Sequence, residues 1–381
     1  MAMPAPVPAI GVRRVAIIAG SPDTLRGFDE PIIKELISRR HRALVIAPEL
    51  SNADIAALEE TGAERAVVGP QTHGLRLFSD WKAIGAIKAV LADWEPHVVL
   101  GCGGRAMVYS ALAAKSAGVE RVVLQIDALP EHRFAGQLAS DEMPAWRYGQ
   151  ALRIADEIIL HNKDDLALLQ RLGLMPANVP AIVVPGAGVD LVQHAVLPLP
   201  PLAQGLVFAM IAPLDKRKGV IEYCEAAARV HAHAPNTRFL LAGAPGDGPT
   251  GLDATALADY RAHVEYLGPP EDARGLLAAS HIFVYPSHIE GMPQPVLEAM
   301  AAGRPIITTD IAGCRETVDV RVNGCLVPPR NVEALAEEME SFLKRPDLIA
   351  PIARASRAKA ERFCGVDAVR GPMLAALGII D

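Results

Sequence analysis

Two glutamates, Glu290 and Glu298, stand eight positions apart in the stretch FVYPSHIEGMPQPVLEAMAAGRPIITTDIAGCRETVDVRVNGCLVPPR, residues 283–330. An apolar run ends near Pro286, and a short loop, Ser287–Pro293, follows. Pro295 suits the first turn of a helix, where a missing N–H costs nothing. The pattern predicts a helix through Val296–Ala302 that stops at Gly303 as a C-cap. Glu290 then lies in the loop and Glu298 near the start of the helix, both facing the region around a helix N-terminus. Such an end offers unpaired N–H groups and a partial positive charge, and so can hold phosphate. Carboxylates beside an anion site fit together if they bind hydroxyls of the same ligand. A sugar nucleotide supplies that combination, a pyrophosphate flanked by two hydroxylated rings. On spacing alone the alternative stays open: Glu298 as a first-turn acid favoured by the helix dipole, Glu290 as an exposed loop acid.

Other constellations carry less. Gly101, Gly103 and Ala106 read GxGxxA after a strand pattern and before a helix pattern, with Asp127 at the end of the next strand, which is a dinucleotide-binding fingerprint. It falls after the fourth strand candidate, whereas that fingerprint normally occupies the first βα turn, so a turn lining a ligand cleft is the better expectation. His288 and Glu290 form an HxE pair, but no PCxxC follows, which argues against a zinc deaminase. No DxD pair occurs. His132 and Asp127 follow the fifth strand candidate, and a lone loop histidine is more often structural than catalytic. Arg39, Arg40, His41 and Arg42 cluster at the end of the first predicted helix. They read either as a solvated helix C-terminus or as a patch for an anionic membrane surface.

The elements that must position these residues alternate regularly. Short runs rich in Val and Ile mark strands at Val15–Ala19, Arg42–Ala47, Ala66–Val68, His97–Leu100, Arg121–Gln125, Glu157–Leu160 and Ala181–Val184. Helical patterns at Pro31–Arg40, Ala53–Thr61, Lys82–Asp93, Ala106–Ala117 and Lys163–Leu172 separate them. That is a βαβα alternation, hence an α/β doubly wound parallel sheet. Residues 197–205, LPLPPLAQG, read as an interdomain linker. The alternation then restarts, with strands at Val207–Ile211, Arg238–Ala242, His263–Tyr266, His281–Tyr285, Pro305–Thr308 and Gly324–Val327. Helices fall at Gly219–His233, Asp272–Ala279, Pro295–Ala302, Val332–Lys344 and Pro351–Phe363. The expected organisation is a Rossmann-like domain over 1–196, a linker over 197–205 and a second such domain over 206–355. A C-terminal helix within 356–381 is expected to pack back on the first. Two such domains would face a central cleft and present loops at the carboxyl ends of their strands.

Composition narrows the class. The chain has 381 residues, a formal net charge of −7 and 51% hydrophobic residues, so it folds as a globular protein. Aromatics are only 4%, and a core of small aliphatics suits helices packed on a parallel sheet. No apolar run reaches the roughly 18 residues of a membrane-spanning helix. The opening MAMPAPVPAIGVRR places its basic pair after the apolar residues, so no secretory signal is expected. Five cysteines without a CxxC pair suggest reduced cytosolic thiols rather than a disulfide frame or a zinc site. Mild acidity argues against a nucleic-acid partner.

The segment EGMPQPVLEAMAAGRPIITTD resembles the E-x7-E signature of the retaining family 4 glycosyltransferases, which have the GT-B fold. Glu290 and Glu298 occupy its two glutamates, and GCRETV (313–318) and NGCLVPP (323–329) extend the likeness. In the N-terminal half, GFDEPIIKELISRRHRALVIAPE, HNKDD (161–165) and PGAGVDL (185–191) resemble bacterial enzymes that extend polyprenyl-diphosphate-linked oligosaccharides for capsule, exopolysaccharide or O-antigen. The resemblance implies that Glu290 contacts the donor sugar hydroxyls. It implies that backbone at Gly291, Met292 and Pro293 lies against the sugar and phosphates, and that Glu298 binds the ribose. Lys218 matches the lysine that neutralises the diphosphate leaving group. The usual arginine five positions earlier is Pro213 here, a departure that Lys216 or Arg217 would have to make good. Gly27, in the loop GSPDTLRGF after the first strand, would approach the donor phosphate. The implied enzyme takes a UDP- or GDP-sugar, needs no metal or other cofactor, and acts in the cytoplasm on the inner face of the membrane. A non-catalytic nucleotide-sugar-binding protein and an NAD-dependent oxidoreductase are the alternatives.

Overall fold

A computed structural model describes residues 11–20, 30–48, 50–68, 76–129, 145–246, 248–270 and 272–380. The chain divides into two compact units. The first holds Met1–His161, Asp165–Ala187 and Arg370–Asp381; the second holds Asn162–Asp164 and Gly188–Val369.

The first unit is built on seven parallel strands. They are β1 (Arg14–Ala19), β2 (Arg42–Ala47), β3 (Glu64–Val67), β4 (Val98–Cys102), β5 (Arg121–Ile126), β6 (Glu157–Leu160) and β7 (Ala181–Val183), in the order β3-β2-β1-β4-β5-β6-β7. The central strands are buried throughout: Val15, Ala16, Ile17, Val99 and Leu100 are all closed to solvent. Continuous burial is what a parallel sheet covered on both faces requires. The helices between strands stop and start on recognisable signals. Ser51 and Asp54 form a reciprocal capping box on the helix Asn52–Thr61, and Gly62 closes it in the left-handed conformation.

The second unit repeats the plan with six parallel strands, β8 (Val207–Ile211), β9 (Arg238–Ala242), β10 (Glu265–Tyr266), β11 (Ile282–Tyr285), β12 (Ile306–Thr309) and β13 (Gly324–Val327). Their order is β10-β9-β8-β11-β12-β13. This places β8 beside β11, so the loops that leave their carboxyl ends are neighbours. Both sheets are doubly wound, as the alternation of patterns predicts.

Residues 197–205, read from sequence as the linker, lie inside the second unit. The reason is Arg304, fully buried on this unit. Its guanidinium donates to the carbonyls of Leu197 (3.1 Å), Pro198 (2.9 Å) and Leu277 (2.8 Å). Burial pushes its pKa down to about 10. A proline-rich segment supplies carbonyls without competing N–H donors, and the arginine uses them. The boundary of the first unit falls at Ala187, before the expected 196. Residues 356–369 stay with the second unit, while 370–381 join the first, where Arg121 Nε donates to the Ala376 carbonyl at 2.7 Å.

Two of the three arginines in the Arg39–Arg42 cluster are ion-paired. Arg39 pairs with Glu35, Arg42 pairs with Glu64 and lies over the Trp94 ring, and His41 is buried. All five cysteines are buried and unpaired. Among the described residues no helix is long and apolar enough to cross a membrane.

One buried histidine ties strand to segment. His281 Nδ1 accepts from the Val207 N–H at 3.1 Å, and Nε2 faces the Pro200 carbonyl at 3.0 Å. Burial, reinforced by Arg304, holds its pKa below the ordinary 6.5. As pH falls below 6.5 the unfolded chain takes up a proton that folded His281 resists, so stability drops. His281→Gln should shrink the loss of unfolding free energy between about pH 7.5 and pH 5.5, measured by urea denaturation. An unchanged pH dependence would contradict this account.

Candidate active site

The site is assembled where the chain leaves β8 and β11. After β8, residues 212–215 lead into a single tight turn, Lys216–Lys218, and then the helix Val220–His233. Asp215 caps the turn by accepting from the Arg217 N–H at 2.7 Å. Gly219 joins turn to helix at φ +74°, and a β-carbon there would sit 2.0 Å from the Pro286 carbonyl oxygen. Only glycine lets this turn press against the end of β11. Beyond β11, the loop is pinned by the His288 N–H to the Arg217 carbonyl (2.8 Å) and by Thr309 Oγ1 to the Ser287 carbonyl. His288 Nε2 lies 2.8 Å from Glu222 Oε1, and Arg330 Nε reaches Nδ1 at 3.4 Å.

This framework delivers Lys218 to Glu290. Lys218 Nζ lies 2.6 Å from Glu290 Oε1, the Tyr285 hydroxyl donates to the same oxygen at 2.9 Å, and the Ser287 hydroxyl lies 2.9 Å from it. Three donors converge on Oε1. No hydrogen bond from a described residue reaches Oε2. Burial, then the nearby Glu290 charge, push the Tyr285 pKa well above 10, so it stays a neutral donor. The Cys314 thiol behind it is pushed up to about 12 by burial and is inert. The carboxylate is thereby held at one oxygen and presented at the other, an arrangement suited to accepting a hydrogen bond from a ligand hydroxyl.

The backbone after Glu290 is equally constrained. Gly291 and Pro293 are buried, and Met292 packs against the core of the unit. Gly313, at φ +76°, faces the Gly291 carbonyl so closely that a β-carbon would lie 2.2 Å from it. The helix Gln294–Ala301 begins directly afterwards with Pro295 in its first turn and no side-chain cap. Its N-terminal positive end adjoins the 290–293 loop. The predicted stop is one residue out: Ala302 caps the helix and Gly303 follows at φ +73°.

The remaining predicted residues fall as follows. Glu298 lies on that helix and is half-buried. Burial raises its pKa, while His194 and a hydrogen bond from Gln294 lower it and Asp272 adds to the rise. Arg217 does not touch Glu290. Its guanidinium grips both oxygens of Asp215 (Nη2 to Oδ2 2.6 Å), and Thr250 donates to the same carboxylate at 3.0 Å. Burial alone would raise the Asp215 pKa, but these bonds outweigh it and hold it below the usual carboxylate range. Lys216 is exposed, as is Pro213. Gly27 and His132 lie outside the described residues. Gly101 has a packing role, since a β-carbon there would come 2.6 Å from Ser110 Cβ on the following helix. Tyr285, Ser287 and Asp215 were not singled out from sequence. Their signal was a hydroxyl five and three positions before Glu290 and an acid two before Arg217.

Comparison with known proteins places this arrangement. Residues 205–345 match the family model "Glycosyl transferases group 1". The two parallel-sheet units are those of the GT-B fold, and the chain is a glycosyltransferase carrying a group 1 domain in its second unit. Over 356 residues it is 24% identical to N,N'-diacetylbacillosaminyl-diphospho-undecaprenol alpha-1,3-N-acetylgalactosaminyltransferase of Campylobacter jejuni, covering 90% of this chain and 92% of that one. It is 26% identical to UDP-Gal:alpha-D-GlcNAc-diphosphoundecaprenol alpha-1,3-galactosyltransferase of Escherichia coli over 69% and 70% of the two chains. Among solved structures, Anabaena Alr3699/HepE in complex with UDP and glucose superposes with a TM-score of 0.73 at 19% identity, over 97% of this chain and all of the other.

The Gly313 contact is testable. Gly313→Ala should cost more than about 2 kcal/mol, because backbone rather than a flexible side chain blocks the new methyl. Gly275→Ala, inside the helix Ala273–Ala279 with open space around it, should be neutral or stabilising by up to about 1 kcal/mol. Chemical denaturation of both variants measures this, and equal costs would refute it.

Proposed function

We propose that this chain transfers a hexose-type sugar from a UDP- or GDP-sugar to a hydroxyl of an oligosaccharide carried on polyprenyl diphosphate, in bacterial surface polysaccharide synthesis. The observation that carries this reading is the fixed carboxylate: Lys218, Tyr285 and Ser287 all on Glu290 Oε1, beside an uncapped helix N-terminus. The names of the Campylobacter and Escherichia coli relatives, both acting on diphosphoundecaprenol-linked sugars, support the acceptor class. The membrane face that presents such an acceptor to a nucleotide sugar is the cytoplasmic one, which makes the protein peripheral there.

In this reading Glu290 Oε2 accepts a hydrogen bond from a donor sugar hydroxyl, while Glu298 takes the ribose hydroxyls. The backbone of Gly291, Met292 and Pro293 lies against the sugar and the diphosphate. The bond between the anomeric carbon and the phosphate oxygen breaks, and the leaving diphosphate keeps the electron pair. Lys218 and the helix N-terminus stabilise that charge without a metal ion, with Lys216 and Arg217 on the same turn adding to the field. The acceptor oxygen bonds to the anomeric carbon on the face the phosphate leaves, so configuration is retained, and its proton passes to the diphosphate.

Pro213 favours a second reading, a sugar-nucleotide-binding protein without turnover, because Arg217 is already engaged by Asp215. One experiment separates the two. Purified protein with EDTA, a UDP- and GDP-sugar panel and a short polyprenyl-diphosphate-linked acceptor should give transfer, and Glu290→Ala should lower it at least about 100-fold. No transfer with any donor would favour the binding protein. A Glu290→Ala variant retaining more than about a tenth of the rate would remove Glu290 from the site.

A further inference from the structure

The loop after Glu290 is held by a distant stretch of chain. Residues 162–164 belong to the second unit, although His161 before them and Asp165 after them belong to the first. Three contacts, all inside the second unit, fix this short stretch. The Asn162 side chain is fully buried, and its Nδ2 donates to the Gly291 carbonyl at 2.9 Å across 129 positions. The Lys163 N–H donates to Glu316 Oε1 at 2.6 Å. Arg315 pairs with Asp164 and, at 2.5 Å, with Asp310. Arg315 and Glu316 lie on the helical turn Cys314–Thr317, directly after Gly313, whose backbone faces the same Gly291 carbonyl.

Burying an amide side chain is costly unless its hydrogen bonds are made, and the planarity of the peptide bond shows what this bond achieves. In a trans peptide the C=O and the following N–H point in opposite directions. Holding the Gly291 carbonyl on Asn162 therefore turns the Met292 N–H to the other side of the loop. Glycine at 291 has no β-carbon to restrict rotation of that peptide, so the restraint has to come from outside the loop. The Met292 N–H has no hydrogen-bond partner among the described residues, and neither has the Gln294 N–H at the start of the helix Gln294–Ala301. Pro293 and Pro295 have no N–H to offer. Unpaired N–H groups at the positive end of a helix are what an anion takes up. A carboxylate at 162 would face the Gly291 carbonyl with acceptors only, so asparagine and aspartate are not equivalent there.

We infer that Asn162 is a positioning residue for the leaving diphosphate: by holding the Gly291 carbonyl it aims the Met292 N–H at the phosphate, beside the Glu290 that reads the sugar. Asn162 itself touches neither phosphate nor sugar and acts through the loop alone. The inference rests on the nucleotide-sugar reading and adds to it the side chain that sets the loop's donor. The contacts of Lys163 and Asp164 with the turn Cys314–Thr317 keep Asn162 in register with that loop.

Ligand titrations of the full chain test it, with uridine and UDP, and with guanosine and GDP. Asn162→Ala and the isosteric Asn162→Asp, at pH 8, should each bind the nucleoside diphosphate about tenfold more weakly than wild type, the loss of one hydrogen bond to a charged group. Both should bind the corresponding nucleoside as wild type does. The aspartate variant keeps the buried shape, and the alanine variant controls for the added charge. In wild type the diphosphate should slow hydrogen exchange at the Met292 amide, and in both variants it should not. Wild-type affinity of the variants for the diphosphate overturns the inference. Equal weakening of nucleoside and diphosphate also overturns it, because Asn162 then supports the unit as a whole and not the phosphate contact. Wild type that binds neither diphosphate sinks the nucleotide-sugar reading together with the inference, whereas wild-type binding with unaltered variants sinks the inference alone.

Discussion

A carboxylate that must recognise a hydroxyl has to be rigid without being saturated. Glu290 is held in that way: Lys218, Tyr285 and Ser287 occupy Oε1, and no hydrogen bond from a described residue reaches Oε2. An ion pair this sheltered, with side chains 28% and 10% exposed, contributes little to stability once desolvation is subtracted. Its value is geometric, because a fixed charge needs no reorganisation when a ligand arrives.

Much of the second unit follows from bringing that lysine to that glutamate. The strand order sets β8 beside β11, so the turn after one can touch the loop after the other. Backbone then has to approach backbone at two places, and each is a glycine with positive φ. Gly219 meets the Pro286 carbonyl, and Gly313 meets the Gly291 carbonyl. Asp215 stiffens the turn from the other side by holding Arg217, and Arg304 anchors the 197–205 segment to the same unit. In the first unit, buried Asp80 holds Arg105 and Arg147 together.

The sequence was legible where period and composition speak locally. Strands rich in Val and Ile, the proline in the first turn at 295 and the two glutamates of the E-x7-E segment lie close to where the structure places them. What was not legible depended on distant partners. Residues 197–205 look like a hinge until Arg304, about 100 positions on, is seen to need their carbonyls. The helix Val366–Ala376 contains Gly371-Pro372, a pair that reads as a stop. The helix Ala145–Leu152 is only two turns long and gives little periodicity. Tyr285 and Ser287 could be seen to precede Glu290, but alternation along a strand does not reveal that both hydroxyls reach one oxygen. Arg217 and Lys218 are neighbours with opposite fates, one taken by Asp215 and one by Glu290, and charge counting cannot separate them.

The central claim is that Glu290 reads the sugar and not the nucleotide. Titration calorimetry of wild type and Glu290→Gln with a nucleoside diphosphate, and then with the corresponding nucleotide sugar, tests it most directly. The account predicts unchanged affinity for the nucleoside diphosphate and about tenfold weaker binding of the nucleotide sugar, the loss of one charged hydrogen bond. Equal weakening of both ligands, or of neither, would contradict it.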